Sequence, residues 1–250
     1  MLSGDGILFH VGNYNFKVRH MLVIAVLAIA FSTAFIMRSY PIKYGFYLNE
    51  FDPYFDYRAT KYIVDNGLDA YLKWHDNMSW YPEGRDIPRT SQVGLHVTAA
   101  YLYMIFGGNS SILDFTIILP VIVGSLTTIV VFALVRSLAG TTAGLFSALL
   151  IAFTPALIQR GNLGWFKSEP LGLFFALLAL YLLISAMKHR SGIAVAKAIA
   201  GGLLLGLANA SWGGIQYFSI PISLFFFAVT FLRNDIKAVS YTHMTLPTKA

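Results

Sequence analysis

The sequence predicts an all-α, polytopic membrane protein of about six spanning helices, with one long polar loop that carries short helices of its own. Three observations predict it. Apolar residues make up 56% of the 250 and charged residues only 12%, against the roughly 45–50% and about 25% usual in soluble globular domains. Mean hydropathy is +0.63. The apolar residues also fall in repeated runs near the about 17–25 residues that match a bilayer core.

The elements follow in chain order. Lys17, Arg19 and His20 lead into an apolar run over 21–37, closed by Arg38. The positive lead and Ala28-Ile29-Ala30 imitate a cleavable secretory signal, but the run continues past that point, so it is read as a retained span. Later runs cover 112–135, 141–158, 171–187, 193–210 and 214–232. The stretch 93–106 is ambiguous, because about 14 residues at 1.5 Å each reach only about 21 Å of a roughly 30 Å core. Charge asymmetry decides between the two topologies. If this stretch does not cross, Lys17/Arg19, Arg136, Lys188/His189/Arg190 and Arg233/Lys237 all fall on one side, as the positive-inside rule requires. The reading is therefore six spans in the cell membrane, both termini cytoplasmic, and an interfacial or re-entrant helix over 93–106. It places loop 1, about 38–111, and loop 2, about 159–169, together on the external face. Lys197 lies near the cytoplasmic end of the fifth run, where its stem carries the ammonium out to the headgroups. Residues 1–239 form the membrane domain. The stretch 240–250 has neither apolar periodicity nor a cap and is read as a non-native tail.

Charge and composition narrow the function. No cysteine is present, which excludes disulfides, thiolate metal sites and thiol nucleophiles and leaves carboxylates, histidines or backbone oxygens to hold any metal. The net charge is +6, but the basic residues are scattered beside apolar runs rather than gathered in a stripe, so no nucleic-acid partner is expected. Eight of the twelve acids lie between Glu50 and Asp86, which concentrates the chemistry in loop 1. His75 and His96 have no second ligand at metal spacing, so a zinc site is not expected. Trp74, Trp80, Tyr81 and Trp165 have the character of interfacial anchors. Asn77-Met78-Ser79 and Asn109-Ser110-Ser111 are acceptor sequons for modification of the protein itself.

The core of loop 1 reads Glu50-Phe51-Asp52-Pro53-Tyr54-Phe55-Asp56-Tyr57-Arg58. Phe55, Ala59, Tyr62 and Ile63 at helical spacing, with Asn66-Gly67 as a stop, predict a short amphipathic helix with Asp52 as N-cap and Pro53 at N1. A capping carboxylate uses one oxygen and can offer the other to a cation, so the cap and a ligand role are both open for Asp52. Asp56, one turn on, is expected on the helix surface, paired with Arg58 or Lys61.

The run EFDPYFDYR resembles the first-loop motif of the catalytic subunit of oligosaccharyltransferase. Three further segments agree. Trp80-Tyr81-Pro82-Glu83-Gly84-Arg85 is similar to that family's W-Y-P-x-G-R element, Arg160-Gly161-Asn162-Leu163-Gly164 to its R-x-x-x-G, and Ser211-Trp212-Gly213-Gly214 to its Trp-Gly-Gly turn. Archaeal members with a Trp-Phe-Lys-Ser-Glu second loop are the most alike. The resemblance implies the N-terminal part of a GT-C-type transmembrane domain. It also implies transfer of an oligosaccharide from a polyprenyl (dolichyl) phosphate or pyrophosphate carrier to asparagine in Asn-x-Ser/Thr sequons of an acceptor polypeptide. Mg²⁺ or Mn²⁺ is the implied cofactor, neutralising the departing phosphate while carboxylates orient the acceptor amide.

Carried over by residue, the resemblance makes Asp52 the catalytic first-loop carboxylate and Asp52 with Glu169 the metal ligands. Where eukaryotic members show Asp-x-Glu, this chain has Lys167-Ser168-Glu169. Either the site uses fewer protein ligands and more water, or Lys167 contacts donor phosphate as a point charge. Glu169 has an alternative as a first-turn acid favoured by the helix dipole and capped by Ser168. Arg85 and Arg160 are candidates for donor phosphate, because guanidinium binds phosphate oxygens bidentately; ion pairs within the acidic loop or with headgroups are the alternative. No Trp-Trp-Asp is present, so the chain is expected to be an N-terminal fragment, inactive alone. Other readings are another GT-C enzyme using a polyprenyl-phosphate sugar, and a non-enzymatic transporter or structural subunit.

Overall fold

The computed structural model describes residues 6–11, 14–189 and 192–232. The expected tail over 240–250 lies outside the described residues, as do Arg190, Arg233 and Lys237 of the charge argument. The chain divides between Ile215 and Gln216 into two compact units. The first opens with a hairpin, β1 (Ile7–Val11) antiparallel to β2 (Tyr14–Lys17), which nothing in the sequence pattern announced. It leads directly into α1 (Val18–Ser39), whose last turn continues as a 3₁₀ turn over Tyr40–Tyr44. The second unit contributes α10 (Gln216–Leu232), an apolar helix.

The polar loop folds into α2 (Phe51–Asn66), α3 (Leu68–Tyr71), the two-residue strands β3 (His75–Asp76) and β4 (Arg85–Asp86), and α4 (Ile87–Thr90). It is a packed layer. Ala59, Ile63, Tyr71 and Ile87 bury themselves against Ala100 of α5 (Val93–Phe106), which spends one face on α2. Gly67, at φ +85°, stops α2 where the Asn-Gly pair predicted a stop. The helix begins earlier than predicted, however. Glu50 holds the extended N-cap position and Asp52 lies inside the first turn, with no capping bond. The expected cap role of Asp52 is therefore replaced, and its carboxylate is not spent on the helix backbone.

Among the described residues four helices are long and apolar enough to cross a membrane: α1 with its 3₁₀ extension, α6 (Ile112–Phe153), α8 (Ser168–Ala186) and α9 (Gly192–Ser211). The 42-residue α6 is not one straight rod. Gly140 sits at φ +88°, ψ 174°, conformations that glycine adopts without a Cβ penalty. Phe132 and Ala148, on either side of it, share one cluster with Ala30 of α1. In a continuous helix they would stand about 24 Å apart. The two arms thus fold back on each other, which is the reversal that the separate apolar runs 112–135 and 141–158 imply. The break at Thr154 (ψ 113°) then gives the short α7 (Pro155–Gln159).

The main apolar core lies where α5, α6 and α8 meet. It gathers Leu95, Ile117, Val121, Phe166 and Leu171. Helix α9 lies along α8, and Lys197 donates from its ammonium to Ser185 Oγ at 2.8 Å, in the last turn of α8. A polar bond between apolar helices compensates the charge locally at modest gain.

Candidate functional site

The polar chemistry is assembled where residues 47–52 meet residues 160–169. Asn49 stitches the two segments together. Its backbone N–H donates to Gly164 O at 3.1 Å, and its side-chain amide donates to Leu163 O at 2.7 Å and Asn162 Oδ1 at 3.0 Å. Behind this seam, Leu163 N–H donates to Arg38 O and Gly164 N–H to Ile117 O, so the second loop is pinned on α1 and α6 as well. Gly164 makes the approach possible. It holds φ +81°, and a Cβ there would strike the Tyr47 carbonyl and come within 2.8 Å of Asn49 Oδ1.

The seam delivers Lys167 to the start of α2. Its ammonium lies 2.7 Å from Asp52 Oδ2 and 3.4 Å from Glu50 Oε2. Burial by itself would lower the Lys167 pKa, but the hydrogen bond and charge of Asp52, with the charges of Glu169 and Glu50, outweigh it and raise the pKa above the ordinary lysine value. Lys167 is thus firmly a cation, surrounded by three carboxylates. Arg160 pairs with Glu169, Nη1 to Oε1 at 3.1 Å, and lies over the Trp165 ring.

An open cleft of about 190 Å³ is lined by Asp52, Phe55, Asp56, Arg85, Gln92 and Lys167, among others. Arg85 reaches it between two rings, 4.6 Å from the centroid of Phe55 and 4.8 Å from that of Trp80, and is anchored by bonds to Thr90 Oγ1 and Thr90 O. Of the residues singled out in the sequence, Asp52, Arg85 and Lys167 therefore share one cleft. Ser168 lines it too, with Glu169 the next residue along. Arg160 is committed to Glu169 and Trp165.

Glu169 is in the first turn of α8, as its helix-dipole alternative requires, but Ser168 does not cap it. Lys167 is the N-cap residue and no side-chain capping bond is made. Its Oε2 is buried with no hydrogen-bond partner. An orphaned carboxylate oxygen is chemically suited to a hard cation, whose ligands are oxygens, but among the described residues no group of three or more histidine, aspartate or glutamate side chains is placed to hold a metal ion. The same donor set already contains Lys167. A cation held by Asp52 and Glu169 must therefore take Asp52 from that ammonium.

One group was missed in the sequence and one expectation is overturned. Asp56 is buried, not a surface acid, and neither Arg58 nor Lys61 is its partner. Arg58 pairs with Asp76 and also donates to Ser79, and Lys61 pairs with Asp65. Asp56 Oδ1 instead accepts from His96 Nε2 at 2.8 Å, and His96 Nδ1 is bonded to the Tyr71 hydroxyl at 2.7 Å. His96 is fully buried on α5. Burial pushes the Tyr71 phenol up to about 12. Forty residues separate Asp56 from His96, and no local spacing marks the pair.

Comparisons with known proteins bear on this arrangement. Residues 21–250 match the family model described as oligosaccharyl transferase STT3, N-terminal. The dolichyl-diphosphooligosaccharide–protein glycosyltransferase subunit STT3B of Oryza sativa subsp. japonica is 32% identical over 227 residues, 88% of this chain and 31% of that one. The STT3 subunit of Dictyostelium discoideum is 28% identical over 238 residues, 93% of this chain and 32% of that one. The chain thus spans about a third of the length of the curated relatives it matches. Among solved structures, the oligosaccharyltransferase AglB of Archaeoglobus fulgidus, in complex with an inhibitory peptide and a dolichol-phosphate, superposes with a TM-score of 0.73 at 23% identity, covering 84% of this chain and 26% of that one. A structure of the Archaeoglobus fulgidus enzyme with Zn and sulfate gives 0.69 at 24% identity, covering 82% and 27%. At these identities the likeness shows a shared fold.

Proposed function

The chain belongs to the oligosaccharyl transferase STT3 family, and from that membership we propose that its cleft serves the transfer of an oligosaccharide from a polyprenyl (dolichyl) phosphate or pyrophosphate carrier to the asparagine of Asn-x-Ser/Thr in an acceptor polypeptide. The observation that carries the reading is the meeting of Asp52, Arg85 and Lys167 in one cleft. Archaeal relatives in the solved structures were captured with a dolichol-phosphate and with an acceptor peptide containing a sequon, which supports those two partners here.

The chemistry sets what the side chains must do. The bond from the first sugar carbon to the phosphate oxygen breaks, a bond from that carbon to the amide nitrogen forms, and the nitrogen gives up a proton. An amide nitrogen is a poor nucleophile, because its lone pair is delocalised into the carbonyl. Negative charge grows on the departing phosphate, where preorganised cations stabilise it most. Arg85 offers a guanidinium held in place by Thr90 and two rings, and Lys167 offers a mobile point charge; Arg160 would have to leave Glu169 to join them. Asp52 is read as the carboxylate that accepts an N–H of the acceptor amide and turns it toward the sugar. Asp52 and Glu169 are also the residues that would hold a divalent ion, Mg²⁺ or Mn²⁺. When bound, such an ion supplies Lewis-acid neutralisation of the phosphate. By the distribution of lysine and arginine, both loops are read as lying outside the cytoplasm, with the N-terminus within it.

The test is transfer of a lipid-linked oligosaccharide to a fluorescent Asn-x-Thr peptide by the full-length protein. Asp52→Asn is expected to lower the rate by about 100-fold or more, the loss seen when a group acting on the transition state is removed. An unchanged rate removes Asp52 from the reacting centre. Glycosylation of a hydroxyl acceptor in place of the asparagine peptide would reassign the activity to another polyprenyl-phosphate-sugar enzyme.

A further inference from the structure

The cleft is lined by two kinds of chemistry. Arg85 and Lys167 bring cations, and Asp56 and Gln92 bring a carboxylate and an amide. A phosphate offers only acceptor oxygens, so it finds donors in the first pair and repulsion at Asp56. Asp56 is held from behind. Its Oδ1 accepts from His96 Nε2 at 2.8 Å, which leaves His96 Nδ1 to accept from the Tyr71 hydroxyl at 2.7 Å. The imidazole is fully buried and meets the rings of Phe55 and Tyr71 edge-on, with centroids 5.8 and 5.9 Å away, which fixes its plane. Asp56 Oδ2 makes no hydrogen bond among the described residues, and Asp56 lines the cleft. Gln92 holds the N-cap position of α5, one turn before His96, and its side chain makes no capping bond. The lining thus presents a fixed acceptor, an amide that both donates and accepts, and the ring of Phe55. A ligand that suits all three carries hydroxyl or N–H groups around a ring with an apolar face. A sugar is such a ligand. Size agrees: about 190 Å³ is the room of about six waters at about 30 Å³ each, the scale of a single sugar ring. Connectivity agrees too. In the transfer proposed above, the first sugar is bonded to the phosphate through one oxygen, so a phosphate between Arg85 and Lys167 brings that ring into the same cleft.

We propose that Asp56 and Gln92 form the subsite for the first sugar of the donor, with Asp56 Oδ2 accepting from one of its hydroxyl or N–H groups and His96 acting as the positioning residue. This deepens the transfer reading of the cleft and rests on it. The two acids of α2 then divide the substrates, Asp52 taking the acceptor amide and Asp56 the donor sugar. A fixed acceptor selects sharply, because a sugar that lacks the matching donor leaves the carboxylate desolvated and unpaired.

The experiment is steady-state transfer by the full-length protein in nanodiscs, from lipid-linked oligosaccharide purified from its native membranes to a fluorescent Asn-x-Thr peptide, with farnesyl phosphate as a competitor that has no sugar. Asp56→Asn keeps an oxygen for His96 but turns the cleft-facing acceptor into a donor. It is expected to raise the donor KM by about 10–100-fold, the worth of a hydrogen bond to a charged group, with kcat changed far less. The peptide KM and the inhibition by farnesyl phosphate are expected to stay within about twofold. His96→Gln, which can still donate to Asp56 but lacks the Tyr71 brace, is expected to raise the donor KM by about 3–10-fold and leave the peptide KM unmoved, whereas a merely structural role would disturb both alike. Gln92→Ala alters a half-buried side chain that makes no capping bond and tests the same subsite should Asp56→Asn misfold; a rise of about 3–10-fold in the donor KM alone is expected. A donor KM unchanged in Asp56→Asn and Gln92→Ala, with transfer intact, overturns the proposal and leaves the functional reading standing. Farnesyl phosphate weakened as much as the donor overturns it by assigning Asp56 to the phosphate, and a rise confined to the peptide KM overturns it by assigning Asp56 to the acceptor. No transfer to the peptide by the unaltered protein overturns the functional reading itself, and the proposal with it.

Discussion

Asp52 and Asp56 stand one turn apart on α2 and line the same cleft, yet they are held in opposite ways. The Asp52 side chain is 46% exposed and its partner is a flexible lysine from the second loop. The Asp56 side chain is 11% exposed, and its partner is a fully buried histidine that is itself fixed by a tyrosine. Depth decides the difference. The Asp52 end of its pair is open to water, which competes for that carboxylate and lowers the cost of exchanging its partner. A buried pair cannot let go, because the charge left behind has nothing to replace what it lost. The cleft therefore has a rigid floor and an exchangeable rim. An incoming ligand that must displace a resident partner can do so only at the rim.

The sharpest way to break this contrast is to take away the floor. His96→Leu leaves the Asp56 carboxylate buried without its donor and is expected to cost about 3–5 kcal/mol of stability, measured by chemical denaturation in detergent. The double variant Asp56→Leu/His96→Leu is expected to recover much of that loss, since well-packed apolar residues often replace a buried polar pair without penalty. A loss below about 1 kcal/mol in the single variant would put Asp56 in the same energetic class as Asp52 and dissolve the comparison.

The next effect lies in the seam between the two regions. Gly164→Ala places a Cβ against the Tyr47 carbonyl in a backbone conformation that side chains rarely adopt. It is expected to cost about 1–3 kcal/mol. The damage should be selective. The seam carries Lys167 to Asp52, whereas the Asp56–His96 bond joins α2 to α5 without it. Hydrogen exchange is expected to rise at Asn49 and over 162–167 and to stay unchanged at His96. A uniform rise along α2 and α5 would mean that floor and rim unfold as one.

The sequence shows these two regions unequally, for physical reasons. The apolar runs mark α1, both arms of α6, α8 and α9, because lipid solvation imposes long continuous apolar segments. The Gly140 reversal is legible as the short break between two such runs. Loop 1 is legible in its stops, Gly67 above all, but not in its packing. Asp52, Arg85 and Lys167 could be singled out by motif and by residue chemistry, and the structure brings those three into one cleft. Asp56 and His96 could not, because their bond spans forty residues and a lone histidine in an apolar helix carries no period or spacing of its own. Nor does the pattern announce the Lys167–Asp52 pair, since which acid a lysine reaches depends on a seam made by backbone carbonyls and the amide of Asn49. The start of α2 was misplaced because Asp-Pro marks a helix start well but only to within a residue or two.

The smallest expected effect on stability belongs to the residue with the largest expected effect on transfer. Asp52→Asn removes a half-exposed ion pair and is expected to change stability by less than about 1 kcal/mol, in the same denaturation experiment that shows His96→Leu to be severe. Its signature should lie in the alkaline limb. Lys167 has a pKa raised in the folded state, with the Asp52 hydrogen bond and charge the largest of the raising causes. The stability it contributes is complete below the unfolded-state value of about 10.4 and is lost as pH rises through the higher folded value. Asp52→Asn brings the folded value down toward the unfolded one, so the alkaline loss should shrink in this variant and remain in Asp56→Asn. An alkaline limb identical in all three proteins would mean that the lysine is not held by Asp52 in solution, and the exchangeable rim would have to be sought at Glu50 instead.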